Sequence, residues 1–286
     1  MEKHLHHAAT QERALQNLIE SIRNGEDPML ARVRTVRLGG VHAVLAAMTF
    51  HWQNRLLQAR ACEVLWNLMI DSDSNTAAIL EAGGVGPVIS AMKLHLSCAD
   101  VQAHGCTALR NLAFESAERQ HMVVVLGGVQ AILSGMREHH DNHRVQLQGC
   151  GAVINLCHSK CPDGVLVAAS NDVIFVLKLA LERHISTQDV AGKVLGAARA
   201  FFRSPDSARE AVHVGFLPLL VHVMGRHLHD VSVQKHGCVI LSLLAVEHAL
   251  EVIRCNGHVA VTAAMQQHAT VFGLQKYGRA VMQLVN

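Results

Sequence analysis

The sequence predicts an all-α fold, a solenoid of about six three-helix repeats behind an N-terminal capping helix. Three observations carry this. Six segments open with Gln and read alike: Gln58 (QARACEVLWNL), Gln102 (QAHGCTALRNL), Gln146 (QLQGCGAVINL), Gln188 (QDVAGKVLGAA), Gln234 (QKHGCVILSLL) and Gln275 (QKYGRAVMQLV). Successive Gln positions differ by 44, 44, 42, 46 and 41 residues. A period in the forties means stacked supersecondary units, not one globular core. A second repeated element precedes each Gln segment, and half of the residues are hydrophobic while only 3% are aromatic. Small apolar residues suit close helix packing, and scarce aromatics argue against an all-β fold.

The elements follow in order. Thr10 to Gly25 is amphipathic, with Leu15, Leu18, Ile19 and Ile22 on one face, as a helix covering the first repeat requires. Each repeat then opens with a short apolar helix, such as Asn75–Gly84, Arg119–Gly128 or Ser207–Phe216. Ser72 to Asn75 offer caps for the helix of the second repeat; Ser204, Pro205 and Asp206 open the fifth, and Cys161, Pro162 and Asp163 the fourth. A turn comes next, with Gly-Gly at Gly39, Gly83 and Gly127, Asn-Asp at Asn171, and single glycines at Gly215 and Gly257. Gly supplies the positive φ that ends one helix before another starts. Pro87 and Pro218 fall in the first turn of the second helix, where Pro is tolerated.

The third, longest helix keeps small and apolar residues at helical spacing: Cys106, Leu109 and Leu112; Cys150, Val153 and Leu156; Cys238, Leu241 and Leu244. Gly105, Gly149, Gly237 and Gly278, with Ala61 in the first repeat, mark a place where a neighbour comes too close for a side chain. The Gln that opens this helix is expected to be exposed and to mark register only. The domains are residues 1–25 as the capping helix and 26–286 as the repeats, at about 26–70, 71–114, 115–158, 159–203, 204–245 and 246–286. The last repeat ends without a cap, so its apolar face is expected to meet a partner or a second copy.

Formal net charge is +2 with both signs interspersed, which gives no nucleic-acid footprint; Arg32, Arg34 and Arg37 read as a solvated helix face. The first residues lack the apolar core of a signal peptide, and no apolar run of about 18 residues is apparent, so no membrane is expected. The chain holds eight cysteines, and those at the repeat positions, Cys62, Cys106, Cys150 and Cys238, serve as small buried residues. They imply an intracellular chain with reduced thiols.

Period, three-helix unit, GGV turn and the Asn-Leu ending of the third helix together resemble the armadillo repeat family. The resemblance is carried by ILEAGGVGPVISAMK (Ile79 to Lys93) and VQAHGCTALRNLAF (Val101 to Phe114), and covers about residues 26–286, strongly in the first three repeats. It implies a right-handed solenoid whose third helices line a concave groove, with an Asn near each helix end bonding the main chain of an extended peptide. Asn67, Asn111 and Asn155 match that position; Ala197, Leu243 and Leu284 stand there in the last three repeats. Importin-type grooves carry a Trp four residues earlier, where this chain has Glu63, Thr107 and Gly151, so a nuclear import receptor is not implied. Trp66 lies at another helical angle and reads as a core or edge residue. The positive set of the face is Arg60, His104, Arg110, Arg144 and His236.

The function expected is a non-catalytic scaffold holding a protein or peptide in the groove of the first three repeats. Asn67, Asn111 and Asn155 would hold its main chain; Arg60, Glu63, His104, Thr107, Arg110 and Gln148 would select its side chains. An Asn at a helix end can equally cap its own helix or bond a neighbouring loop, and the roles can coexist. The alternative is a structural subunit of a cytoskeletal or ciliary assembly. Either implies a cytoplasmic chain. No cofactor, phosphate loop or catalytic motif is present. His139, His140 and His143, then His222, His227 and His229, then Cys157, His158 and Cys161, lack the second half a tetrahedral metal site needs and read as surface polarity.

Overall fold

The computed structural model describes residues 1, 4–157, 162–169 and 172–285, and among these every regular element is helical. The chain separates into two compact units, Met1–Leu156 and Cys157–Asn286.

The first unit opens with α1 (Ala8–Asn24). Three repeats follow: α2 (Pro28–Arg37), α3 (Gly40–Phe50) and α4 (Arg55–Leu68); α5 (Asp73–Glu81), α6 (Val85–Leu94) and α7 (Ala99–Leu112); α8 (Ala117–Val125), α9 (Gly128–Glu138) and α10 (His143–Leu156). The second unit holds α11 (Pro162–Ala169), α12 (Val173–Arg183), α13 (Gln188–Ala198), α14 (Pro205–His213), α15 (Phe216–Arg226), α16 (Val231–Arg254), α17 (Gly257–Gln267) and α18 (Phe272–Val285). Helix α16 is 24 residues long because the third helix of one repeat runs into the first helix of the next, across the non-helical His248 (φ −126°, ψ 40°). No loop marks the boundary there. Its length and apolar composition would suffice to span a membrane, yet 44% of the apolar stretch is buried within the protein.

The turns form where the sequence places them. Gly39, Gly83, Gly127 and Gly215 have φ between 75° and 89°, and Asp172 and Asn256 take the same left-handed conformation in the remaining repeats. Ser72 caps α5 through its hydroxyl, which accepts from the Asn75 N–H; Asn75 itself reaches back to the Leu68 carbonyl at 2.8 Å. Ser204 stands at the N-cap of α14 without a side-chain cap, and Pro205 opens that helix. Cys161, Asn171 and the Cys157-His158-Cys161 run fall wholly or partly outside the described residues; Cys157 is buried and donates to the Gly164 carbonyl.

The repeated Gln is not exposed. Gln58, Gln102, Gln146 and Gln234 are at most 2% exposed. Each amide donates to two carbonyls at the end of its own repeat's second helix: Gln102 to Met92 and His95, Gln146 to Met136 and His139, Gln234 to Met224 and His227. These carbonyls are among the last of a helix and have no intrahelical partner; the Gln satisfies the Met carbonyl and gives the His carbonyl a second donor beside the N–H three residues on. Gln58 and Gln275 do the same. So does Gln11, which donates to the Met1 and His4 carbonyls, so α1 is built as the third helix of a repeat. Gln188 is the exception. Helix α13 has 11 residues where α4, α7 and α10 have 14. The helix starts in the common register, with Thr187 three residues after His184 as Asn142 is after His139, so Ala191 stands in the Gln column; Gln188 is first in its helix and exposed, bonded to the Asp230 carboxylate.

The glycine approach is to a methionine of the second helix. A Cβ on Gly105, Gly149, Gly237 or Gly278 would sit about 2.5 Å from Met92, Met136, Met224 or Met265. Ala61 and Met48 hold the matching positions in the first repeat, both buried.

Histidines, read in sequence as surface polarity, make a second ladder. The residue that ends each second helix is His51, His95, His139, His184, His227 or His268. In the first unit, the Nε2–H groups of His51, His95 and His139 donate to the carbonyls of Leu5, Trp52 and Leu96 at 2.6–2.8 Å. In the second, those of His227 and His268 donate to Ile185 and Leu228 at 2.7 Å. A carbonyl only accepts, so Nε2 carries the proton. Each bond ties a repeat to the one before it.

Candidate functional site

Four third helices of the first unit, α1, α4, α7 and α10, line a polar cleft of about 520 Å³. The six side chains expected to select a partner meet there, Arg60, Glu63, His104, Thr107, Arg110 and Gln148, together with Arg144 of the positive set. Asn67, Asn111 and Asn155 do not line the cleft itself. Asn67 is 2% exposed and engaged at both ends: its amide donates to the Glu63 carbonyl, and its oxygen accepts from Arg23 Nε at 3.4 Å. Asn111 and Asn155 are half-buried, and each donates to a carbonyl in the last turn of the preceding third helix, Trp66 at 3.4 Å and Arg110 at 3.1 Å. They cap the preceding repeat through Nδ2, and among the described residues neither Oδ1 accepts a bond.

Trp66 belongs to the cleft wall, which corrects its reading as a core or edge residue. It shares a column with Arg110, eight residues after the repeated Gln, so aligning the repeats finds it. The same columns hold Leu56, Asp100 and Arg144 two residues before the Gln, all in the cleft. Arg23 and Gln16, from α1, carry no such signal because α1 lies outside the recognised period.

The ring system is continuous. The Arg23 guanidinium lies over the Trp66 ring, 5.2 Å from its centroid, and pairs with Glu63 at 2.8 Å. Trp66 Nε1–H donates to His104 Nδ1 at 2.9 Å, the two rings lying 14° from parallel. Arg144 Nη2 approaches His104 Nε2 at 2.6 Å and pairs through Nη1 with Asp100 at 3.1 Å. Glu63 lies 3.7 Å from His104 Nε2. Burial, followed by the charges of Arg144 and Arg23, pushes His104 from 6.5 down to about 3, so the imidazole is neutral at neutral pH. Arg110 is half-buried, and its Nη1 donates to the Gln148 amide oxygen at 2.9 Å. Its side chain crosses α10 at Gly151, where a Cβ would lie 3.2 Å from Arg110 Cδ. Burial lowers the Arg110 pKa as well.

In the second unit the corresponding helices carry Lys193, Arg199, Lys235 and His236. Burial, then Arg199, Lys235 and Lys193, pushes His236 down to about 4. Among the described residues no three His, Cys, Asp or Glu side chains stand together as a metal site. The buried thiols of Cys62, Cys106 and Cys238 are pushed up to about 12 by desolvation, which keeps them protonated.

Repeated three-helix units with Gly turns and a polar face built from third helices define an α-helical repeat protein. The family model described as the LRRK2 ARM repeat matches residues 2–259, and the chain belongs to that armadillo-repeat family. No protein of curated function matches it in sequence. Among solved structures, an engineered protein superposes with a TM-score of 0.74 at 18% identity, over 95% of this chain and 68% of the other. The designed armadillo repeat protein YIII(Dq.V1)4CPAF, in complex with the peptide (KR)4, gives 0.68 at 15% identity, over 85% and 98%. A structure from work on a phosphorylation switch in the cadherin–beta-catenin interaction gives 0.58 at 16% identity, over 94% and 60%. At these identities the likeness is one of fold.

Proposed function

We propose that the chain is a non-catalytic scaffold that holds an extended segment of a partner protein along the third helices of its first three repeats. The observation that carries this is the cleft of about 520 Å³, where side chains of four successive third helices converge. Two structural neighbours support it, a designed armadillo protein bound to a peptide and a structure from work on the interaction between cadherin and beta-catenin. The Oδ1 atoms of Asn111 and Asn155, and the second N–H of each amide, would meet a ligand main chain, because an amide both donates and accepts. Asn67, engaged by Arg23 and Glu63, would shape the end of the groove and leave the main chain to the other two.

Replacing Asn111 and Asn155 by Ala tests this. Partner binding should weaken together with a modest loss of thermal stability. Unchanged binding with lowered stability would make both residues caps alone and end the groove reading.

The alternative, a structural subunit of a large cytoskeletal or ciliary assembly, is favoured by Phe272, Val259 and Leu284 in the last repeat, 83%, 54% and 43% exposed. Sedimentation at micromolar concentration separates the two. A monodisperse monomer counts against the assembly reading.

A further inference from the structure

The cleft already described is unbalanced in charge and in hydrogen bonding, and both imbalances have the same cure. Four guanidiniums, of Arg23, Arg60, Arg110 and Arg144, face two carboxylates, of Glu63 and Asp100, and Arg60 has a third beside the cleft, Glu12 at 3.8 Å. Glu63 is taken by Arg23 at 2.8 Å. Asp100 is taken by Arg144, but this pair is exposed, with side chains 49% and 66% accessible, and exposed pairs hold weakly. Arg110 makes no ion pair among the described residues. Its guanidinium rests on a neutral amide oxygen while half-buried, a position that leaves a cation undercompensated.

The second imbalance is at His104. Trp66 Nε1 and the Arg144 guanidinium are donors only; Trp66 approaches Nδ1 at 2.9 Å, and Arg144 Nη2 approaches Nε2 at 2.6 Å and stands 3.3 Å from Nδ1. A neutral imidazole has one acceptor nitrogen. If Nδ1 accepts from Trp66, Nε2 carries a proton and meets Arg144 donor to donor. If Nε2 accepts from Arg144, Nδ1 carries the proton and meets Trp66 instead. A protonated ring would face both donors. No protonation state satisfies the arrangement. Moving Arg144 away does: Nδ1 accepts from Trp66, and the Nε2–H is left facing Glu63, 3.7 Å away.

Resting on the groove reading, we propose that the partner segment is acidic, and that a side-chain carboxylate of it is bound between Arg110 and Arg144. The carboxylate draws Arg144 off His104 and gives Arg110 its missing counter-ion. Two guanidinium forks match a carboxylate's two oxygens, which selects Asp or Glu over Asn or Gln. Gly151 is part of the device, because it leaves Arg110 room to lie across α10.

The test uses the full chain and a phage-displayed library of random dodecapeptides, with enriched peptides measured by fluorescence polarisation. Enriched sequences should share an Asp or Glu, and its change to Asn or Gln should weaken binding at least tenfold. Against R110Q/R144Q that change should cost less than threefold, since its contact is already gone. Gly151→Ala, which disturbs Arg110 without removing it, should show an intermediate loss. Neutral or basic peptides that are lost on Thr107→Arg would overturn the acidic ligand and leave the groove standing. Peptides indifferent to Thr107→Arg, or no enrichment at all, would overturn the groove reading itself.

Discussion

The two units share their framework and differ in what they display on it. In the second unit Gln234 and Gln275 still hold the ends of second helices, His227 and His268 still tie repeat to repeat, and Gly237 and Gly278 still receive Met224 and Met265. On the third helices, however, Asn gives way to Leu243 and Leu284, and in the fourth repeat to Ala200, since its third helix starts at Thr187 and not three residues earlier, as the match of Gln188 with Ala197 requires. The ring system of Trp66, His104 and Arg144 has no counterpart among Lys193, Arg199, Lys235 and His236. Residues that hold the fold therefore recur through the chain. Those of the cleft face do not recur in the same way. The comparison separates the two groups without an alignment: recurrence marks structure, and its interruption on one face marks where the proposed groove lies.

The largest effect expected falls on the recurrent residues. Gln146→Ala takes the donor from the buried Met136 carbonyl and one of two donors from the His139 carbonyl, which keeps the Asn142 N–H, and should destabilise the first unit by about 1–3 kcal/mol. Gln188→Ala, at an exposed helix start, should cost under about 0.5 kcal/mol. Thermal unfolding compares them, and equal losses would break the distinction between the buried Gln and its displaced counterpart. Gly149→Ala should cost about 1–3 kcal/mol by crowding Met136, with recovery in Gly149→Ala/Met136→Ala, where the space is returned.

A smaller effect depends on pH. His104 is held near 3 and His236 near 4 in the folded chain, against 6.5 unperturbed. Between those values the unfolded chain binds the proton and the folded chain does not, so stability is full above about pH 6.5 and falls as the pH drops. Each histidine contributes at most about 1.4 kcal/mol per pH unit. His104→Gln should flatten the difference in melting temperature between pH 7 and pH 5. An unchanged difference would mean that His104 takes up its proton in the folded state. A modest effect is that of Asn155→Ala, about 1 kcal/mol for the lost bond to the Arg110 carbonyl.

Much of this was legible in the sequence for a physical reason. A repeat must present the same surface to each neighbour, so packing residues recur at fixed spacing and can be read as columns. The Gly turns, the close approach at Gly105, Gly149, Gly237 and Gly278, and six of the cleft residues were found that way. What was missed has two causes. Gln and His are polar and suggest solvent, yet their period, unbroken for His from His51 to His268, already said that they pair with something equally periodic, the carbonyls at helix ends. Trp66 was missed as a site residue, and Arg144, named on the positive face, was left out of the side chains expected to select a partner, because contacts such as Trp66–His104 cross between repeats, and a single column does not show which neighbours meet.

The most direct test of the account compares the two units by binding. An acidic peptide enriched from the library is titrated against wild type, R110Q/R144Q and K193Q/K235Q, the two double variants removing equal charge. The account predicts a loss of at least tenfold for R110Q/R144Q and less than threefold for K193Q/K235Q. Equal losses, or the larger loss in K193Q/K235Q, would contradict a groove confined to the first three repeats.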